Sequence, residues 1–210
     1  MGSRLLVIIL LMQLTLHAKT FYLPKDASIK LKKEHGDYAL KRAHSLITLM
    51  NNLLSQSEKE KLIQVNDFFN QITYASDIKI WGVSEYWANR MEFLGKGAGD
   101  CEDYTYAKYF TLKQLGIQTK RLGAFYCTSL TYNMQHMVLA YFKNKKNPFI
   151  LDNYDPVIKP ASRRKDLKPI KLYNSEGLFI AKLIKLGKAV PQTKQAQTQW
   201  LEIINGIRSK

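Results

Sequence analysis

The sequence predicts an α+β fold, on three observations. Apolar residues recur at helical spacing through the first half, while short apolar or alternating runs bounded by turn residues fill the second. Between the two, the glycine-rich stretch Gly95-Lys96-Gly97-Ala98-Gly99 enters Asp100-Cys101-Glu102-Asp103 and then a helix-like run from Tyr104 to Leu115. Helices first and strands after is a segregated order, which favours helices packed on one face of an antiparallel sheet over alternating βαβ units.

Residues 1–18 read as a secretory signal: Arg4 is the positive n-region, Leu5 to Leu16 the apolar segment, and Leu16-His17-Ala18 an acceptable cleavage site. That segment is short of the roughly 20 residues a membrane-spanning helix needs. Phe21 to Asp37, with Pro24 and weak periodicity, reads as an extended lead-in. Leu46, Leu49, Met50, Leu53 and Leu54 keep helical spacing, as do Leu62, Val65, Phe68, Phe69 and Ile72. Ser55 to Ser57 supply the turn between them and an N-cap before Glu58, so residues 38–75 are expected to form a helical hairpin. His35 and His44 have no partners at metal-binding spacing and read as helix-face residues.

Tyr74 to Glu92 is rich in aromatics (Tyr74, Trp81, Tyr86, Trp87), a core or rim cluster that can also wall a cleft. The Cys101 helix should end at Gly116, a good C′ residue. Strands are expected at Gln118–Cys127, Met134–Phe142, Phe149–Asn153, Ile170–Tyr173 and Leu178–Lys182, as an antiparallel meander with turns at 143–148, Asp155-Pro156 and Glu176-Gly177. Gln195 to Arg208, carrying Trp200, Ile203, Ile204 and Ile207, suggests a closing helix.

An apolar content of 46% in 210 residues is that of one globular domain, 19–210, with its chemistry in 95–182. The net charge of +15, or +14 without Arg4, permits acidic protein, anionic lipid or nucleic acid as a partner. The lysines are scattered, and no zinc-finger, RNA-binding or basic heptad motif is present, so nucleic acid is not expected. Two cysteines do not make a disulfide scaffold, but Cys101 and Cys127 could pair with each other in an oxidising compartment. Cys127, in an apolar run, reads as a buried inert thiol.

Asp100 is a suitable N-cap and Asp103 completes an acidic variant of the capping box, which puts Cys101 in the first helical turn. Unpaired N–H groups and the helix dipole favour negative charge there, so the thiol pKa is expected to fall. His136 opens one predicted strand and Asp152 ends the next. In an antiparallel hairpin those ends lie side by side, so the acid can fix the imidazole while its other nitrogen faces the thiol. Cysteine at a helix N-terminus, then His and acid on neighbouring strands, is the order of a papain-like core; Asn153 and Asp155 are alternative third members.

Four stretches, Gly99-Asp100-Cys101-Glu102-Asp103-Tyr104, His136-Met137-Val138-Leu139-Ala140-Tyr141, Leu151-Asp152-Asn153 and Pro160-Ala161-Ser162-Arg163-Arg164, resemble in order the bacterial transglutaminase-like cysteine proteinases, which include the LapG-type periplasmic proteases. The resemblance runs from about Val65 to Phe179. Where the family often reads Tyr-Trp-Ala-Thr-Pro, this chain has Tyr86-Trp87-Ala88-Asn89-Arg90, which puts the local turn in doubt. The resemblance implies a papain/transglutaminase-like core and a Cys101–His136–Asp152 triad. It also implies periplasmic cleavage of a large secreted adhesin near its N-terminus, which controls biofilm attachment. A calcium ion tied to the acids Asp100, Glu102 and Asp103, and sequestration by an inner-membrane cyclic-di-GMP receptor of the LapD type, are implied as well. Three acids are few for a cation that takes six to eight oxygens. A transglutaminase, or a non-catalytic calcium- or peptide-binding module, would fit the same residues.

Overall fold

The computed structural model describes residues 20–144, 146–173 and 208–209. The expected signal segment, the strand Leu178–Lys182 and nearly all of the closing helix lie outside them. Among the described residues no helix is long and apolar enough to cross a membrane.

The chain begins with β1 (Phe21–Tyr22), which pairs antiparallel with β9 (Arg208–Ser209). Residues expected to be an extended lead-in are instead helical: α1 runs Lys25–Asn52, broken at Gly36, whose φ of 79° is open to glycine. Leu31 anchors the first half of α1, and Ala39, Ala43, Leu46, Ile47 and Met50 the second. Pro24 fits because a proline just before a helix removes no intrahelical bond. After a short turn, α2 (Glu58–Asn70) starts at Ser57, whose hydroxyl accepts from the Glu60 N–H at 3.2 Å, and buries Leu62, Val65 and Phe69. The two helices make the expected hairpin.

Next come β2 (Thr73–Tyr74), α3 (Asp77–Trp81), α4 (Arg90–Lys96) and β3 (Ala98–Gly99). The turn that Asn89-Arg90 put in doubt is well made. Asn89 Oδ1 accepts from the Met91 and Glu92 N–H groups, Glu92 returns a carboxylate to the Asn89 N–H, and the buried Arg90 guanidinium bonds Thr111 and Gln114. Arg42 of α1 donates to the Leu94 and Gly95 carbonyls at 2.6 and 2.8 Å, tying the end of α4 to the hairpin. β2 and β3 pair in parallel, Tyr74 with Gly99, and so bring Tyr74 to the entrance of α5 (Cys101–Gln114).

The sheet has five antiparallel strands in the order β7-β6-β5-β4-β8, with β4 (Leu122–Ser129), β5 (Met134–Tyr141), β6 (Phe149–Leu151), β7 (Lys159–Pro160) and β8 (Leu167–Tyr173). It is not a simple meander, because β8 returns to the far edge and pairs with β4. Side-chain alternation divides the sheet between two cores. Leu122, Ala124, Met137, Leu139, Tyr141 and Leu151 join α1, α2, α4 and α5. Phe125, Cys127, Val138, Ala140, Ile150, Leu167 and Leu172 pack on the opposite face.

Candidate active site

The position of Cys101 follows from close packing ahead of it. A Cβ on Gly99 would lie 2.5 Å from the Asp103 carboxylate and 2.6 Å from the Phe93 ring, so only glycine lets the chain turn into α5 there. Asp103 Oδ2 accepts from the Asp100 N–H at 3.3 Å, the reverse half of the expected capping box, and its Oδ1 accepts from the Ala88 N–H at 2.8 Å. Cys101 thus stands at the first turn of α5, half-buried, and its thiol donates to Glu102 Oε2 at 3.2 Å. The N–H of Met137, the residue after His136, bonds the same sulfur. Both cysteines are free. Cys127 is fully buried, bonds the His136 carbonyl through its thiol, and is pushed up to about 12, chiefly by burial, as an inert thiol should be.

The expected fall in the Cys101 pKa is not what the surroundings produce. Burial first, then the charges of Glu102 and Asp100, raise it well above the ordinary thiol value, and the Met137 N–H pulls it back only in part. A helix N-terminus stabilises an anion by about 0.3–1 kcal/mol, less than burying a charge beside carboxylates costs.

His136 and Asp152 meet because of register. Leu139 pairs with Leu151, the residue before Asp152, so the end of β6 brings Asp152 alongside the half of β5 that carries His136, within side-chain reach. His136 Nε2 lies 2.8 Å from Asp152 Oδ1, both residues are 1% exposed, and the ring's Nδ1 makes no hydrogen bond among the described residues. Asp155 binds Lys159 Nζ at 2.7 Å, and of the three acid-end candidates Asp152 is the one bonded to the imidazole. Tyr154 lies flat on the His136 ring, centroids 4.4 Å apart and planes 6° apart, and its N–H donates to Asp152 Oδ1 at 2.9 Å. Asn70 of α2 donates to the Asp152 carbonyl at 2.8 Å, pinning the loop to the hairpin.

Asp152 is held as a carboxylate. Burial would raise its pKa, but bonds from His136, Tyr154 and Arg164 outweigh burial and bring it down to about 2. Arg164 Nη2 donates to Asp152 Oδ2 at 2.7 Å. Arg164 belongs to one of the quoted motifs, yet nothing in the sequence assigns it this partner.

The acids beside Cys101 behave in the opposite way. Asp77, Asp100 and Glu102 each bring an oxygen within 4.8 Å of the others. Asp77 is missing from the sequence expectation, and Asp103, which is in it, turns away to bond backbone N–H groups. An acid 23 positions upstream of Asp100 carries no motif; only the pairing of β2 with β3 brings α3 alongside. Burial first, then Glu102 and Asp103, push Asp100 up to about 10, and burial first, with Glu102 and Asp77, takes Asp103 to about 8. Buried oxygens Asp77 Oδ1 and Asp100 Oδ1 have no hydrogen-bond partner among the described residues. Carboxylates crowded with buried, unpartnered oxygens are a donor set that fits a hard cation.

These features agree with what the chain is similar to. Residues 41–166 match the family described as bacterial transglutaminase-like cysteine proteinase. No curated protein sequence matches. Among solved structures, Legionella pneumophila LapG is similar at 34% identity and a TM-score of 0.70, over 85% of this chain and 94% of that one. Its calcium-bound form is 36% identical over 85% and 96%, and its EGTA-treated form 35% identical over 85% and 94%, both with a TM-score of 0.70. The chain belongs to the bacterial transglutaminase-like cysteine proteinases, and is a cysteine protease of the LapG type.

Proposed function

We propose that the protein is a periplasmic endopeptidase that cuts a large surface adhesin near its N-terminus, releasing it and so controlling biofilm attachment. The observation that carries this reading is the buried His136–Asp152 pair, whose ring nitrogen Nδ1 is left unpaired one residue from the N–H that bonds the Cys101 sulfur. Cys101 attacks the scissile carbonyl as His136 Nδ1 takes the thiol proton; His136 then protonates the leaving amine, and water resolves the thioester. Asp152 holds the Nε2–H tautomer throughout. The developing oxyanion is met by the Cys101 N–H and by a donor from the Trp81–Trp87 region, where the buried Trp81 indole N–H has no acceptor among the described residues and Trp87 donates to Glu85.

Asp77, Asp100 and Glu102 are the residues that would hold calcium, a hard cation that takes more oxygens than these three acids supply. When bound, it neutralises the carboxylates that raise the Cys101 pKa. That Legionella pneumophila LapG is known in calcium-bound and EGTA-treated forms supports this assignment. Secretion through the residue 1–18 signal and capture by an inner-membrane cyclic-di-GMP receptor of the LapD type complete the reading; the charge of +14 suits acidic adhesin segments or an anionic membrane surface.

The test is to incubate the protein and its Cys101→Ala variant with an N-terminal fragment of a large adhesin from the same bacterium, with calcium or with a chelator. A single cut by the parent protein in calcium is expected, with a loss of several orders of magnitude in Cys101→Ala. Equal cutting by the variant would overturn the reading. Incorporation of a labelled primary amine would turn it into a transglutaminase.

A further inference from the structure

Asp152 has two oxygens with different duties. Oδ1 receives the His136 ring and the Tyr154 N–H, which leaves the carboxylate free to swing about that end unless Oδ2 is held. The holder is Arg164, 4% exposed, at the end of the 3₁₀ turn Ala161–Arg163. Its Nη2 donates at 2.7 Å both to Asp152 Oδ2 and to Asp166 Oδ2, and its Nε donates to Asp166 Oδ1 at 2.9 Å. Asp166 thus grips the guanidinium edge-on in a two-point fork, so the group that steadies Asp152 is itself steadied. A polar cavity of about 250 Å³, lined by Ser129, Tyr132, Asp155, Asp166, Arg164 and Asp152 among others, adjoins the pair. Water from it would reach Oδ2 if the guanidinium were gone.

We propose that Arg164, braced by Asp166, is a positioning residue for the reaction: it locks the Asp152 carboxylate in the plane that keeps the His136 Nε2–H tautomer. This rests on the Cys101–His136–Asp152 reading above. Arg164 touches no reacting atom and acts through Asp152 alone. The other charged or titratable groups facing Asp152 include His136 and Cys127 from the sheet, Tyr154 after β6, Lys108 from α5 and Asp166. None of them is hydrogen-bonded to Oδ2, which Arg164 Nη2 holds.

The experiment compares the full chain with Arg164→Met, Arg164→Lys, Asp166→Asn and Asp152→Asn. It measures kcat and KM on the adhesin fragment, the thermal midpoint, and the imidazole ¹⁵N–¹H spectrum, with the His136 signal assigned by its loss in His136→Gln. Misplacing a group by about 1 Å costs on the order of 100-fold, which is the expected kcat loss in Arg164→Met, with about 10-fold in Arg164→Lys and KM unchanged in both. The His136 Nε2–H signal, sharp in the parent, should broaden or vanish through solvent exchange in Arg164→Met. Asp166→Asn should lose less than Arg164→Met while keeping the fold, and decides the matter if Arg164→Met does not fold. Undiminished kcat with an unchanged His136 signal in Arg164→Lys and Asp166→Asn would overturn the proposal, as would losses that simply track the thermal midpoint. Full activity in Asp152→Asn would instead overturn the triad on which the proposal rests.

Discussion

Two sets of acids, one beside His136 and one beside Cys101, are opposites. Asp152 and Asp100 are both largely buried aspartates, yet one sits at about 2 and the other is pushed up to about 10. The difference lies in their neighbours. Asp152 has an imidazole, a backbone N–H and a guanidinium within hydrogen-bonding reach; Asp100 faces Glu102, Asp103 and Asp77. Burial raises both, and only opposite charge or donated hydrogen bonds can outweigh it. The imidazole side has its charge partners on the chain, while the acid side is a crowded carboxylate set whose chemistry suits a hard cation.

The largest expected effect separates the two sides by chemistry. His136→Ala should lose at least about 1000-fold in kcat at every calcium concentration, as removal of a member of a catalytic unit does. Asp77→Asn should retain the reaction but need more calcium for it, and should lose most of the rise in thermal midpoint that calcium gives the parent. At a concentration about 100 times Kd, a ligand that binds only the folded state stabilises by about 2.7 kcal/mol, a shift of several degrees. Midpoints and cleavage measured across a calcium titration check both. Equal calcium response in the parent and Asp77→Asn would remove the acid side's assigned role.

The next effect is on acid stability. Asp152 is depressed in the folded state, so its contribution is present above the ordinary carboxylate value of 3.8 and is lost as pH falls through about 2. Denaturant unfolding of the parent and Asp152→Asn should differ by on the order of 2 kcal/mol at neutral pH and converge in that acid window. A constant difference down to pH 2 would mean that packing, and not the charge, is what Asp152 provides.

The smallest effect sharpens the comparison geometrically. Gly99→Ala places a Cβ against Asp103 and Phe93 and should destabilise by about 1–3 kcal/mol, as overpacking does, seen as a lower denaturation midpoint. It disturbs the acid side alone, so the His136 Nε2–H signal should stay as in the parent.

Much of this was legible in the chain. The periods of the hairpin, the Ser57 cap and strands over most of 118–127 and 134–142, the first starting late because Thr119–Arg121 form a 3₁₀ turn, all follow from local chemistry that neighbouring residues settle among themselves. The lead-in reads as extended because a proline and a glycine suggest breaks, while the burial of Leu31 that favours helix comes from the rest of the core. The strands read as a meander because consecutive strands usually pair, while the return of β8 to β4 is a long-range pairing that no local signal in β8 carries.

What the amino-acid order determined by itself was which residues can do chemistry and on which kind of element each sits, since capping, periodicity and residue type are short-range properties. Only the tertiary structure decided who stands beside whom: Asp77 rather than Asp103 among the acids, Asp152 rather than Asn153 on the imidazole, Arg164 behind it, and a thiol raised where the helix alone would lower it. Charge and burial act through space, and the distances through space are set by strand register and helix packing.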